Sequence, residues 1–443
     1  MMSQQHPDIG TKYIRLSELP DGGSLATTAH AKYPGQHCSF RAVAGTVPLI
    51  KNSYALLLGP AICLYNAKLS MNMRSLTSDP RPNNLLFVNY SQEDIIFGFR
   101  EKVREAILQA DREYHPEVLF LITSCLQEIV GEDFDACIDE VRPLVRARLL
   151  IIHTENFTCE GAAPGVENMF RSLFELMKEQ PQEARTANIL GLWTSNARKT
   201  ELVRLLESKG VRIKNIIPSY CTPSELEAAP GAQLNIVLDQ YGLPLARQMK
   251  ERFGTDYIYS RKPYQPDSIE QWYHEIAAEL NIDIQTEVAD LKEKTLAFQE
   301  KARCALDGLT CAISGVSGRP FDLASLLASV GVKPEAMLLQ TVLSEDRPDI
   351  QSLLDLGVDP IIFRGDNSLQ NDELLARLSP DLTVGSFERT SPARLGIRPV
   401  VLSTSNYLLG FESTIEVLRL LMEKPPGLEA LMYKERILGK GEC

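Results

Sequence analysis

The chain has 443 residues, of which 44% are hydrophobic and 23% charged, and a formal net charge of −12. That length suits two or three domains rather than one core, and the acidity excludes a nucleic-acid partner, because phosphate binding needs a basic surface. No apolar run reaches the roughly 20 residues that cross a bilayer. The polar N-terminus MMSQQHPDIGTKYIRLSELPDGG lacks a signal-peptide core, so a soluble, cytoplasmic protein without membrane contact is expected.

Residues 1–37 show little periodicity and read as an N-terminal arm. From Cys38 onward, short apolar runs alternate with amphipathic stretches. YALLL (54–58) predicts a strand broken at Gly59-Pro60, followed by a helix around Cys63–Ser70. NLLFV (84–88) predicts a second strand, Glu93 to about Glu113 a helix, VLFLI (118–122) a strand, Leu126–Val141 a helix, and Leu149–Ile152 a strand. Continuous apolar strands alternating with helices imply a parallel sheet covered on both faces.

The pattern restarts twice. Asn188–Leu192 opens a unit with a helix near Lys199–Lys209, strands Ile213–Ile217 and Leu234–Leu238, and the helical Gln265–Leu280. A charged helix, Glu287 to about Leu306, leads into Thr310–Ser314, the first strand of a third unit with helices Asp322–Val330 and Phe411–Met422. The expected architecture is α/β: three Rossmann-like domains, each a parallel sheet flanked by helices, around a central cleft. The expected limits are 38–185, 186–303 and 304–443.

Nine cysteines are scattered along the chain without any CxxC pair. In a reducing compartment this favours thiols or metal ligands assembled from distant positions over a disulfide framework. Cys125 follows the strand VLFLI and opens a helix; Cys63 follows YALLLGP; Cys38 precedes the apolar segment 40–50. Ligands of doubly wound domains sit at the carboxyl ends of strands. Three thiols there suit a soft metal centre, iron–sulfur in particular. They are one short of the usual four, which implies a second chain or a non-cysteine ligand. Without further signal, three small buried hydrophobes explain the same residues.

The blocks around these cysteines add that signal. CSFRAVAG, LLGPAIC, SQEDIIFG and SCLQEIVGED, with cysteines 25 and 62 residues apart, resemble the blocks around the P-cluster of nitrogenase component 1. HTENFTCEGAAPGVENMF (153–170) and LLGFESTIEVLRLLM near the C-terminus resemble its β-type subunit. The resemblance implies that Cys38, Cys63 and Cys125 ligate a P-cluster-like or four-iron cluster shared with a homologous α-type partner in an α2β2 assembly. It also implies electrons delivered by a separate ATP-dependent iron protein. The chain has no Walker A motif of its own, which agrees. Asn156 stands where the β-type has an additional serine ligand. Asp239 stands where the α-type has its cofactor cysteine, and no histidine follows His274, so the chain is expected not to hold that catalytic cofactor. The implied function is one subunit of a nitrogenase-like reductase. The alternatives are a scaffold for cofactor assembly, a homodimeric tetrapyrrole-type reductase, and a plain Rossmann-like small-molecule binder.

The remaining candidates have ordinary explanations. Cys159 lies in a loop similar to a cofactor-facing loop of α-type subunits, but reads first as a loop thiol. Cys137 falls on the apolar side of a helix; Cys221, Cys304, Cys311 and Cys443 carry no motif. Glu93 and Asp94 suit a helix start. Glu128, Glu132 and Asp133 read as a solvated helix face rather than an acid–base site. The glycine-rich ISGVSGRP (313–320) lacks both the full GxGxxG spacing and a P-loop lysine, and reads as a strand-to-helix turn.

Overall fold

The computed structural model describes residues 13–19, 38–75, 84–131, 133–154, 164–194, 196–339, 342–363, 368–385, 390–402 and 408–423. Three sheets carry the fold. The first has the spatial order Leu85–Asn89, Ser53–Gly59, Val118–Thr123, Arg148–Ile152, all parallel. The second runs Arg212–Pro218, Glu183–Leu192, Ala232–Val237, Asp256–Tyr259, again all parallel. Residues 118–123 are buried throughout, as a strand covered by helices on both faces requires.

These two sheets lie in one compact unit, residues 35–261 with 276–283. Their cores are continuous: Phe40, Val43, Phe120, Ile152 and Phe170 belong to the same buried cluster as Ile217, Leu226 and Met249. Burying side chains of this size contributes about 1.5–3 kcal/mol each. Polar ties reinforce the join, with the Lys51 amide donating to the Cys221 carbonyl at 2.8 Å and Glu227 pairing both Arg148 and Lys178.

The second unit comprises residues 1–34, 262–275 and 284–443. Its sheet has the order Ile14–Arg15, Ile361–Phe363, Lys333–Leu338, Thr310–Ser314, Leu382–Gly385, Arg398–Val400. All pairs are parallel except the first: Ile14 and Arg15 run antiparallel to Ile362 and Ile361. Part of the supposedly featureless arm is therefore an edge strand. Ser17 secures it by donating its amide (2.9 Å) and hydroxyl (2.8 Å) to Asp359.

Two expected helices are each interrupted by a glycine. The stretch from Glu93 to Glu113 divides into Gln92–Phe97 and Arg100–Tyr114 around Gly98, φ +95°. The stretch 126–141 divides into Cys125–Val130 and Phe134–Val141, with Gly131 at φ +69° ending the first. Such backbone is inexpensive only for glycine, and in both cases the apolar spacing runs on across the break.

Candidate metal centre

In the first sheet the chain order reverses between two strands. Ser53–Gly59 connects outward to Leu85–Asn89, and the chain then returns to place Val118–Thr123 on the other side. The carboxyl ends of the two strands flanking such a switch point open into a crevice. Cys63 and Cys125 follow those two ends. Cys63 is the third residue of the helix Ala61–Ser75, and Cys125 is the first residue of Cys125–Val130. Cys38 is the N-cap of Ser39–Ala44, a helix packed against Pro164–Leu173. The two approach closely, since a Cβ on Gly165 would lie 3.0 Å from Ser39 Cβ and 3.1 Å from Val43 Cγ2.

All three thiols are partly exposed, and each sits at the N-terminal end of a helix, where the backbone dipole favours a thiolate. The Cys63 thiol is nonetheless pushed up to about 11, by burial first and then by the neighbouring Cys125 and Cys38 sulfurs. Both other sulfurs therefore lie near enough to Cys63 to act on it. Desolvation and like-charge repulsion outweigh the helix end, so in the metal-free chain Cys63 keeps its proton at neutral pH. A bound cation would reverse this, and binding would release the proton.

The donor set fits a soft metal: three thiols in one neighbourhood, of which Cys63 resists ionising until a cation is present. Among the described residues no group of three His, Cys, Asp or Glu side chains converges as on a single ion. Thiolates that ligate separate irons of one cluster need not do so.

Gly59 lets the crevice close. A Cβ there would fall 2.9 Å from Ser124 Oγ and 3.1 Å from Ser124 Cβ, and 3.9 Å from Cys63 Cβ. Gly59→Ala is expected to cost about 1–3 kcal/mol by overpacking and to lower metal content by moving Ser124, the neighbour of Cys125. Denaturant midpoints and metal analysis on the same samples check this; wild-type values for both would exclude it.

The sequence profile described as "Nitrogenase component 1 type Oxidoreductase" matches residues 38–422. The chain belongs to this family. It is 24% identical over 400 residues to the nitrogenase iron-molybdenum cofactor biosynthesis protein NifE of Nostoc sp., covering 87% of this chain and 82% of that one. It is 25% identical over 201 residues to a subunit of the light-independent protochlorophyllide reductase of Nostoc punctiforme, covering 42% and 40%. It is 23% identical to the nitrogenase molybdenum-iron protein alpha chain of Methanothermobacter marburgensis, covering 56% and 57%. The solved structure of nitrogenase Cp1 at pH 6.5 superimposes with a TM-score of 0.77 at 13% identity, covering 91% of this chain and 95% of that one. The α/β architecture is thus that of nitrogenase component 1.

The other candidates fall to structural roles. Cys137 is buried, its Sγ 3.7 Å from the Arg100 carbonyl. Cys221 is buried and pushed up to about 12 by burial first, and Cys311 is likewise raised within the third sheet. Cys304 is exposed. Asp94 and Ser91 cap a helix reciprocally at 2.7 and 3.1 Å. Lys102 and Ser91 hold the Asp94 carboxyl down at about 2. Asp133 caps the next helix by accepting from the Ala136 amide at 3.0 Å.

The glycine-rich 313–320 segment is a turn. A Cβ on Gly318 would strike the Lys262 carbonyl, and Arg319 is paired with Asp349. Cys159, Asn156, Glu132 and Cys443 lie outside the described residues, as does the Glu128 side chain.

Asp239 lies at the switch point of the second sheet, between Glu183–Leu192 and Ala232–Val237. Gly191, at φ +89°, leaves room for it, since a Cβ there would come 2.7 Å from Asp239 Cβ. Its Oδ1 accepts from the Tyr241 amide at 2.9 Å. Burial pushes the carboxyl up to about 6, although the Tyr241 amide and Arg261 pull the other way.

A carboxyl raised above its unfolded value near 3.9 binds its proton more tightly in the folded chain. Stability from this group is therefore fully present below about pH 4 and is lost as pH rises through about 6. Asp239→Asn is expected to remove that slope and to gain on the order of 1 kcal/mol at neutral pH, a low figure because the side chain is partly open to solvent. Denaturation midpoints of both proteins from pH 4 to 7 check this; parallel curves would rule it out.

Proposed function

We propose that this chain is the cluster-bearing subunit of a nitrogenase-like iron–sulfur reductase, with Cys38, Cys63 and Cys125 as its ligands to a cluster shared with a homologous partner. The observation that carries the reading is the position of Cys63 and Cys125 at the two strand ends of one switch point, with Cys38 close enough to act on Cys63. Three ligands leave the coordination of a cluster incomplete, and the partner supplies the rest. Large apolar side chains on the same segments support this: Ile62 and Tyr65 beside Cys63, Ile129 after Cys125, and Ile96 and Phe97 (84% exposed) in the segment between. Such side chains cluster where another chain docks. When bound, the cluster supplies low-potential electron transfer between an ATP-dependent iron protein and a substrate site. The protein's part is to hold the thiols at helix N-termini, shield Cys63 partly from water, and present an apolar rim to the partner. The assembly is an α2β2 heterotetramer in the cytoplasm, and substrate reduction takes place on the partner.

A second reading, a scaffold on which a complex iron–sulfur cofactor is assembled, is favoured by the similarity to NifE over 87% of the chain. Anaerobic purification with the natural partner, followed by metal analysis, electron paramagnetic resonance and native mass measurement, tests the shared cluster. A complex without iron would overturn both readings. Turnover with added iron protein, reductant and substrate separates them, because a scaffold carries the cluster without turnover. A homodimer of this chain alone would instead place the substrate at the shared interface, as in a tetrapyrrole-type reductase.

A further inference from the structure

The geometry points to Gln127 as a positioning residue that locks the two cysteine-bearing strand ends together through Leu58, Tyr90 and Ser124. The inference rests on the reading of Cys63 and Cys125 as cluster ligands and adds a residue that does not touch the cluster itself. Gln127 is buried, at 5% exposure, in a short helix whose neighbouring side chains Ile129 and Val130 face solvent. Its Nε2 donates to the Leu58 carbonyl at 3.1 Å and to the Tyr90 hydroxyl at 2.9 Å. Its Oε1 accepts from the Ser124 hydroxyl at 2.8 Å.

Leu58 is the penultimate residue of the strand that leads to Cys63, and Ser124 immediately precedes Cys125. Tyr90 begins the segment that carries Ile96 and Phe97. One side chain therefore joins all three carboxyl-terminal loops of the crevice. Only an amide matches these three partners, because it sets two donors and one acceptor in a plane. A carboxylate cannot donate, and an apolar side chain would remove all three hydrogen bonds at once. The Tyr90 hydroxyl is itself held in place, because its ring stacks on Phe99 with centroids 4.2 Å apart and planes within 9°. The Ser124 amide donates to the same Leu58 carbonyl at 3.1 Å, so rotating this loop would break two bonds at once. Partners that orient ligands are worth roughly ten- to a hundredfold in metal affinity.

The test uses the full-length chain purified anaerobically with its partner, in wild-type form and as Gln127→Leu, Tyr90→Phe and Cys137→Ala. Iron per chain is measured against graded chelator, together with the paramagnetic resonance spectrum and the melting temperature. Gln127→Leu is expected to surrender iron at ten- to a hundredfold lower chelator and to give an altered spectrum. Tyr90→Phe, which keeps the stacked ring and so the fold, should shift both in the same direction by a smaller factor. Cys137→Ala should lose thermal stability yet keep wild-type iron retention and spectrum. If iron retention merely follows melting temperature across all three variants, or if the Gln127 and Tyr90 variants keep the wild-type spectrum, Gln127 is packing and the inference fails. Wild-type protein that holds no iron would remove the underlying ligand assignment instead, and is distinguished by that first measurement.

Discussion

Alanine in place of Cys38, Cys63 or Cys125 is expected to strip iron from the complex, while Cys137→Ala keeps it. Each of the three thiols is partly exposed at the start of a helix, so truncation removes little packed surface and the fold should survive. What is lost is a coordination position, and a cluster with one iron unligated is open to solvent and chelators. Cys137 is the reverse case, a buried side chain in the core of its helix. Its truncation should cost on the order of 1–2 kcal/mol of stability and no iron. The measurement is iron per chain in the purified complex, set against unfolding midpoints. Wild-type iron content in any one of the three single variants would remove that residue from the ligand set.

A charge at Phe97 is expected to separate the chain from its partner without unfolding it. Phe97 and Ile96 are among the most exposed large apolar side chains, 84% and 73%. In the isolated chain Phe97→Asp or Phe97→Lys should therefore be close to neutral. In the complex, losing a buried phenylalanine and desolvating a charge should cost on the order of 3 kcal/mol, about a hundredfold in dissociation constant. Both signs of charge should act alike if the loss is one of apolar burial; opposite effects would mean an electrostatic contact instead. Native mass measurement and titration of the partner check this. An unchanged dissociation constant in both variants would place the interface elsewhere.

Continuous apolar runs such as VLFLI are readable in the chain because a strand buried on both faces needs them, and Val118–Thr123 is such a strand. The breaks at Gly98 and Gly131 are not, because side-chain periodicity continues across them while the backbone turns. Ile14–Arg15 reads as arm because two residues carry no period. Only pairing with a segment nearly 350 positions away makes them a strand.

The same division runs through the candidate site. Residue types and their intervals are legible in the chain: three cysteines, each beside a strand end, in blocks whose order marks the family. So are the placement of Gly59 ahead of Cys63 and of Ser124 directly before Cys125. Folding adds that Ser53–Gly59 and Val118–Thr123 lie side by side with Leu85–Asn89 outside them. That order brings the loops of Cys63 and Cys125 to one crevice and places the Gln127 amide between Leu58, Tyr90 and Ser124. Strand order is set by the packing of helices on both faces of the sheet and by long-range pairing, neither of which leaves a local pattern in the chain.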